Sequence, residues 1–233
     1  SGSTAYGYNA HDRLTQVSLV NDTGETNYIT TLGILRYDGY GRLTAAPGRN
    51  ASYTYDALNR RLTKTVAGTK TSFHHAPNGE LLAEGQGNIL REYIPLDGRP
   101  IARIDGSQIY YYHTDALGTV RAVSDSAGTT VWAGLLEPFG AGTAIGSVPN
   151  NVRMVGQYWD QETGFFYNWH RYYDPRTGRY ITSDPIGLGG GLNTYAYAGN
   201  NPLRWIDPDG LEAESPIPDP NFPDPTVPEV GLD

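Results

Sequence analysis

The sequence predicts an all-β fold: a curved sheet of hairpins laid side by side, capped by an irregular, aromatic-rich segment. Three observations carry this prediction. The 233 residues include 18 Tyr and 29 Gly, and aromatics favour strands while Gly weakens helix interiors. A short aromatic-to-Arg pattern recurs about every 19 residues. After Leu211 the chain changes character, to six Pro and six acidic residues without a cation.

The repeat begins with "YNAHDRLTQ" at Tyr8, "YDGYGRLTA" at Tyr37 and "YDALNRRLT" at Tyr55. Looser copies follow in "HAPNGELLA" at His75, "YIPLDGRPIA" at Tyr93 and "YHTDALGTVRAV" at Tyr112. Each copy is long enough for two strands and two turns. The aromatic ends a strand, and Asp or Asn offers the turn an acceptor. Gly41 or Asn59 then takes a left-handed conformation, and Arg-Leu-Thr starts the return strand. Arg42 and Arg60 are expected to pair with the turn carboxylate and to lie over neighbouring Tyr rings. Residues 1–108 form the hairpin region, 109–211 the cap, and 212–233 an acidic, Pro-rich tail.

Charge narrows the function. The net charge is −8, of which the tail holds −6, leaving a body with 17 basic and 19 acidic residues. A nearly neutral body without basic stripes argues against a nucleic-acid surface. No Cys is present, which removes disulfide and thiolate chemistry. No apolar run reaches the length of a membrane span.

At "YDGYGRLT" and "YDALNRRLT" the chain resembles the YD repeats of Rhs proteins. Residues 109–140, "IYYYHTDALGTVRAVSDSAGTTVWAGLLEPFG", resemble the start of the Rhs-associated core. Residues 153–211, which include "HRYYDPRTGRYITSDPIGL" and end in "WIDPDGL", are similar to its C-terminal half. Glu137 stands where the family usually has Asp, a change the turn should tolerate. The resemblance implies a YD-repeat sheet that is part of a hollow β-shell, capped by a core plug. The chain then reads as the C-terminal end of a longer protein or as a small relative.

In that family, and in the related C components of insecticidal toxin complexes, the core cuts the chain after a "DPxGL" motif. The segment beyond is a toxin held inside the shell. The resemblance therefore implies cleavage between Leu211 and Glu212 by an aspartyl-type autoprotease acting once on its own chain. Asp184 and Asp207 match the paired carboxylates, and Arg171 the supporting arginine. Two carboxyls sharing a proton supply one base for water and one acid for the carbonyl. No cofactor or metal is implied. The implied partners are the chain's own C-terminal effector and a secretion or toxin-complex machinery, with export from a bacterial cell.

Asp-Pro pairs also end strands for reasons of backbone geometry alone, so Asp174 and Asp209 stay open as alternatives to the chosen pair. "GLGGGLN", Gly187 to Asn193, lacks the Lys-Ser/Thr of a phosphate loop and reads as a turn. His74 and His75 should point to opposite faces of a strand, a poor metal geometry. Trp159, Phe165, Phe166, Trp169 and Trp205 read as core aromatics of the plug. The tail is too short for a folded toxin, and its Pro content favours extended chain. A rival function is a cell-surface adhesion or carbohydrate-binding module that does not cut itself.

Overall fold

The computed structural model describes residues 3–11, 13–20, 26–27 and 34–215. Most of the tail, residues 216–233, lies outside the described residues. Three antiparallel sheets account for the strands among the described residues. A small sheet pairs β1 (Ser3–Tyr8), β2 (Leu14–Val20) and β3 (Thr26–Asn27). The main sheet is a twelve-stranded meander in unbroken chain order. It runs through β4 (Arg36–Tyr37), β5 (Leu43–Ala46), β6 (Ala51–Tyr55), β7 (Arg61–Val66), β8 (Thr69–His75) and β9 (Leu81–Gln86). It continues through β10 (Ile89–Leu96), β11 (Arg99–Asp105), β12 (Gln108–Thr114), β13 (Val120–Ser124), β14 (Thr130–Leu136) and β15 (Gly142–Gly146). Its first and last strands do not meet, so the sheet is open. No helix among the described residues is long and apolar enough to cross a membrane.

The predicted turn chemistry is visible atom by atom. Asp56 Oδ1 accepts the amides of Leu58 and Arg60, both at 2.9 Å, while Oδ2 takes Arg60 Nε at 2.7 Å. Asp38 does the same for Tyr40 and Arg42. Gly41 and Asn59 sit at φ 85° and 63°, the left-handed slot that closes a three-residue hairpin loop with a bulge. The register shifts at Tyr37 and Tyr55 are those bulges. The Glu137 turn closes as well, through the Glu137 amide to the Ala141 carbonyl at 2.7 Å.

One feature lies beyond the single repeat: each arginine reaches the next turn. Arg13 Nη1 donates to the Asp38 carbonyl at 3.4 Å, Arg42 to Asp56 and Arg60 to Ala76, both at 3.1 Å. Arg42 also lies over the Tyr40 and Tyr55 rings. The motif thus stitches hairpins laterally at one end of the sheet.

The plug is a four-stranded sheet of β16 (Tyr158–Asp160), β17 (Phe165–Asn168), β18 (Arg171–Asp174) and β19 (Arg179–Tyr180). All four residues of both β17 and β18 are buried. A strand buried on both faces needs cover on both sides. One side packs on the main sheet, where Tyr53 and Phe73 meet Tyr158, Phe165, Tyr167 and Tyr172. The other forms a second core of Met154, Phe166, Tyr173, Tyr180 and Tyr197, with Trp159 and Trp205 partly buried against it. Trp169 differs from the expected core role: only half-buried, it stacks on His170 and donates to the Leu58 carbonyl. The main sheet passes residue 108 without a break, since β11 pairs with β12 from Ala102 to Asp105.

Candidate active site

β17 and β18 pair antiparallel from Phe166–Tyr173 to Asn168–Arg171, so the turn between them projects Asn168, His170 and Arg171 together. The 207–211 segment lies along this turn. His170 donates its amide to the Asp209 carbonyl at 3.1 Å, and Asn168 Nδ2 bonds the Asp207 carbonyl at 2.8 Å. Gly210 makes this approach feasible. Its φ is +80°, and a Cβ there would fall 2.5 Å from the Asn168 carbonyl oxygen, a distance no side chain tolerates.

Arg171 organises the centre. Its Nη2 lies 2.9 Å from Asp184 Oδ2 and 3.3 Å from Asp207 Oδ2. Nε bonds the Gly210 carbonyl and Nη1 the Thr194 carbonyl. All three side chains are buried, at 1% to 3% exposure. One guanidinium therefore bridges two carboxylates that burial would otherwise penalise, and the geometry is compatible with their sharing a site.

Asp207 is held by four donors. Oδ1 accepts the amides of Gly210 at 2.8 Å and Leu211 at 3.0 Å, while Oδ2 accepts Tyr180 Oη at 2.7 Å and Arg171. Burial pushes its carboxyl up to about 6, against the opposing pull of Tyr180 and Arg171. Asp184 has its Oδ1 on the Ile186 amide, leaving Oδ2 for Arg171. The Leu211 carbonyl oxygen and Asp184 Oδ2 border the same point beside Gly190, within a few ångströms of each other. Beyond the bond in question the chain turns back. Ile206 and Glu214 exchange two backbone hydrogen bonds, at 2.9 and 2.7 Å, so both sides of Leu211–Glu212 are anchored.

The structure thus gathers Asp184, Asp207, Arg171 and Leu211 in one place. Asp174 is elsewhere: its carboxylate binds Arg176 and caps the turn after β18. Asp209 borders the site, but its Oδ1 accepts the Leu211 amide as a local turn contact. His75 faces the core beside Tyr167 while His74 is exposed, the opposed arrangement expected. Phe165 and Phe166 are buried and Trp159 and Trp205 are largely engaged in packing, so these four rings do not form an exposed platform. Sequence reasoning missed Tyr180, Asn168 and Gly190. Tyr180 sits four residues before Asp184 without any motif to mark it, and Gly190 belongs to the "GLGGGLN" stretch read as a turn.

Comparison with known proteins places these features in context. The family model described as RHS protein matches residues 109–144. The chain is 34% identical to toxin protein Tse5 of Pseudomonas aeruginosa over 76% of its own length and 17% of the relative's. It is 43% identical to double-stranded DNA deaminase toxin A of Burkholderia cenocepacia over 45% of its length and 8% of the relative's. The chain therefore spans less than a fifth of either relative. Its fold is similar to the crystal structure of TcdB2-TccC3-Cdc42, with TM-score 0.63 and 22% identity over 89% of this chain and 13% of that one.

Proposed function

This chain is an Rhs protein, and from that premise we propose that it is shell and autoprotease of a polymorphic toxin, cutting its own chain between Leu211 and Glu212. The observation that carries the reading is the pair of buried carboxylates on one Arg171 nitrogen, with the Leu211 carbonyl beside Asp184 Oδ2. Asp207, ionised above about pH 6, is a stronger base than an exposed carboxylate and takes the proton from an attacking water. The pair shares one proton, and Asp184 passes it to the Leu211 carbonyl oxygen as the tetrahedral centre forms. That centre collapses, the Leu211 C–Glu212 N bond breaks, the nitrogen leaves with the proton that Asp207 took from water, and the hydroxyl returns a proton to Asp184. The products are a Leu211 carboxylate and a Glu212 amine. Arg171 orients both carboxyls and, through Gly210, the turn that presents the bond.

In this reading the repeat sheet is a sector of a container, and whatever follows Glu212 is its cargo. The two relatives are both toxins, one a deaminase of double-stranded DNA, which fits a shared shell with exchangeable cargo. Secretion or toxin-complex machinery would deliver it from a bacterial cell.

The test is the intact mass of freshly purified protein. Acid hydrolysis of the Asp207–Pro208 bond needs no active site, and its N-terminal fragment would be shorter by the four residues Pro208 to Leu211. The proposal expects a fragment ending at Leu211, absent in folded Asp184→Asn and Asp207→Asn and much slower to form in Arg171→Ala. Cutting after Leu211 at the normal rate in either Asn variant overturns the aspartyl mechanism.

A further inference from the structure

The glycine-rich segment 187–191 is unexplained by its role as a turn. It begins at Gly187, whose amide returns to the Asp184 carbonyl at 3.0 Å, and folds as a single 3-10 turn over Gly187–Gly190. This path carries Gly190 back over the carboxylate of Asp184. A Cβ at Gly190 would lie 2.4 Å from Asp184 Oδ2 and 2.8 Å from the Leu211 carbonyl oxygen. Real Cβ atoms do not approach other heavy atoms so closely. The backbone of Gly190 is outside the left-handed region, so conformation is not what demands glycine here. Contact is.

We propose that the Gly187–Gly191 loop is the wall that presses the Leu211 carbonyl against Asp184, and that Gly190 is a specificity-determining position for self-cleavage. This inference rests on the autoprotease reading and assigns that site its substrate-contacting loop. The physical argument concerns what a methyl group would move. The Leu211 oxygen is backbone, tied to a turn that Asp207 holds through the Gly210 and Leu211 amides. The Asp184 oxygen is the end of a side chain, but it is pinned at 2.9 Å to Arg171 Nη2. A methyl at position 190 therefore pushes either the scissile carbonyl or the proton donor out of register. Both outcomes separate the two atoms that must exchange a proton. Displacement of reacting groups by about 1 Å costs on the order of a hundredfold in rate.

Gly189 supplies the internal control. It lies in the same loop, and a Cβ there would make only ordinary contacts, at 3.6 to 3.8 Å, with the Ile186 side chain. Gly190 itself is exposed, so only the inward side of an added methyl meets neighbours, the nearest being Asp184 and the Leu211 carbonyl. The experiment follows formation of the fragment ending at Leu211 over time by mass spectrometry, in wild type, Gly189→Ala, Gly190→Ala and Gly190→Val. Circular dichroism and the unfolding midpoint are measured on each. The expected result is normal cutting in Gly189→Ala, a loss of tenfold or more in Gly190→Ala and a further loss in Gly190→Val, with all midpoints close to wild type. Wild-type cutting in Gly190→Ala overturns the inference while leaving the autoprotease reading intact. So does equal slowing in Gly189→Ala and Gly190→Ala, since that marks a loop needed only for general integrity. An uncut wild type defeats the autoprotease reading itself.

Discussion

At the scale of single residues, the site depends on how Asp207 is balanced between burial and its donors. Arg171, Tyr180, Asp184, Tyr197 and Asp209 are the charged or titratable groups around it. Burial raises its carboxyl to about 6, and Tyr180 is the foremost group pulling the other way. If ionised Asp207 is the base, cutting weakens as the pH falls below about 6. Tyr180→Phe removes the 2.7 Å hydrogen bond that favours the ionised form. The acid limb of the pH–rate profile should then move to higher pH, narrowing the window that closes on the alkaline side when the pair loses its shared proton. An unmoved limb would show that Tyr180 is only packing against Arg171. The linkage to stability has the opposite sign from a surface carboxylate. Because the folded value lies above the unfolded one near 3.9, folding takes up a proton, and Asp207 makes the protein progressively less stable as pH rises from about 4 to 6. The carboxylates were legible in the sequence only through their resemblance to a family motif, since five Asp-Pro pairs look alike in isolation. Tyr180 was not legible at all. Its partner Asp207 is 27 residues away, and only the pairing of β18 with β19 brings the phenol there.

At the scale of the element, the hairpin turn was the most readable part of the chain, because its chemistry is local. Asp56 shows why. Partial desolvation opposes ionisation, yet hydrogen bonds from the Arg60 side chain and from the Arg60 and Leu58 amides hold its carboxyl below the usual range. Asp56→Ala strips three donors of their acceptor and should cost about 1–2 kcal/mol in urea unfolding. Asp56→Asn keeps an acceptor for both amides and loses only the ion pair with Arg60, so about half that loss or less is expected. The two variants also separate by pH. The contribution of Asp56 is complete above its unfolded value near 3.9 and fades as pH falls through the lower folded value. The Asn variant should lack this acid-side loss. What the repeat did not reveal is the step between copies. Nothing in "YDALNRRLT" says that Arg60 Nη1 will reach the Ala76 carbonyl at 3.1 Å. That contact requires the hairpins to be neighbours at one spacing, a property of the sheet.

At the scale of the whole molecule, the question is what makes sheet and plug one body, since the site stands on the plug alone. The joint is Arg61. It is the second arginine of "NRRLT", fully buried, and no feature of the repeat singles it out. In the structure it projects from β7 into the plug, between the rings of Phe73 and Tyr167 at 4.4 Å each. Its Nη1 binds Asp160 Oδ2 and, at 3.1 Å, the Tyr172 hydroxyl. Lys64 from the same strand reaches Asp160 Oδ1 at 3.0 Å and Glu162 at 3.1 Å. Burial disfavours the Arg61 charge, and the adjacent Asp160 more than restores it. Removing one partner of such a pair leaves a buried ion uncompensated, at a cost of about 3–5 kcal/mol, whereas replacing both by apolar groups is far milder. Asp160→Leu alone and Arg61→Met alone should each lower stability by roughly that amount. The double variant should lose clearly less than their sum, because Lys64 keeps Glu162 and the aromatic cage accepts a thioether. Urea unfolding of the four proteins decides it. A double variant whose loss equals the sum of the two singles would mean that Arg61 and Asp160 act independently.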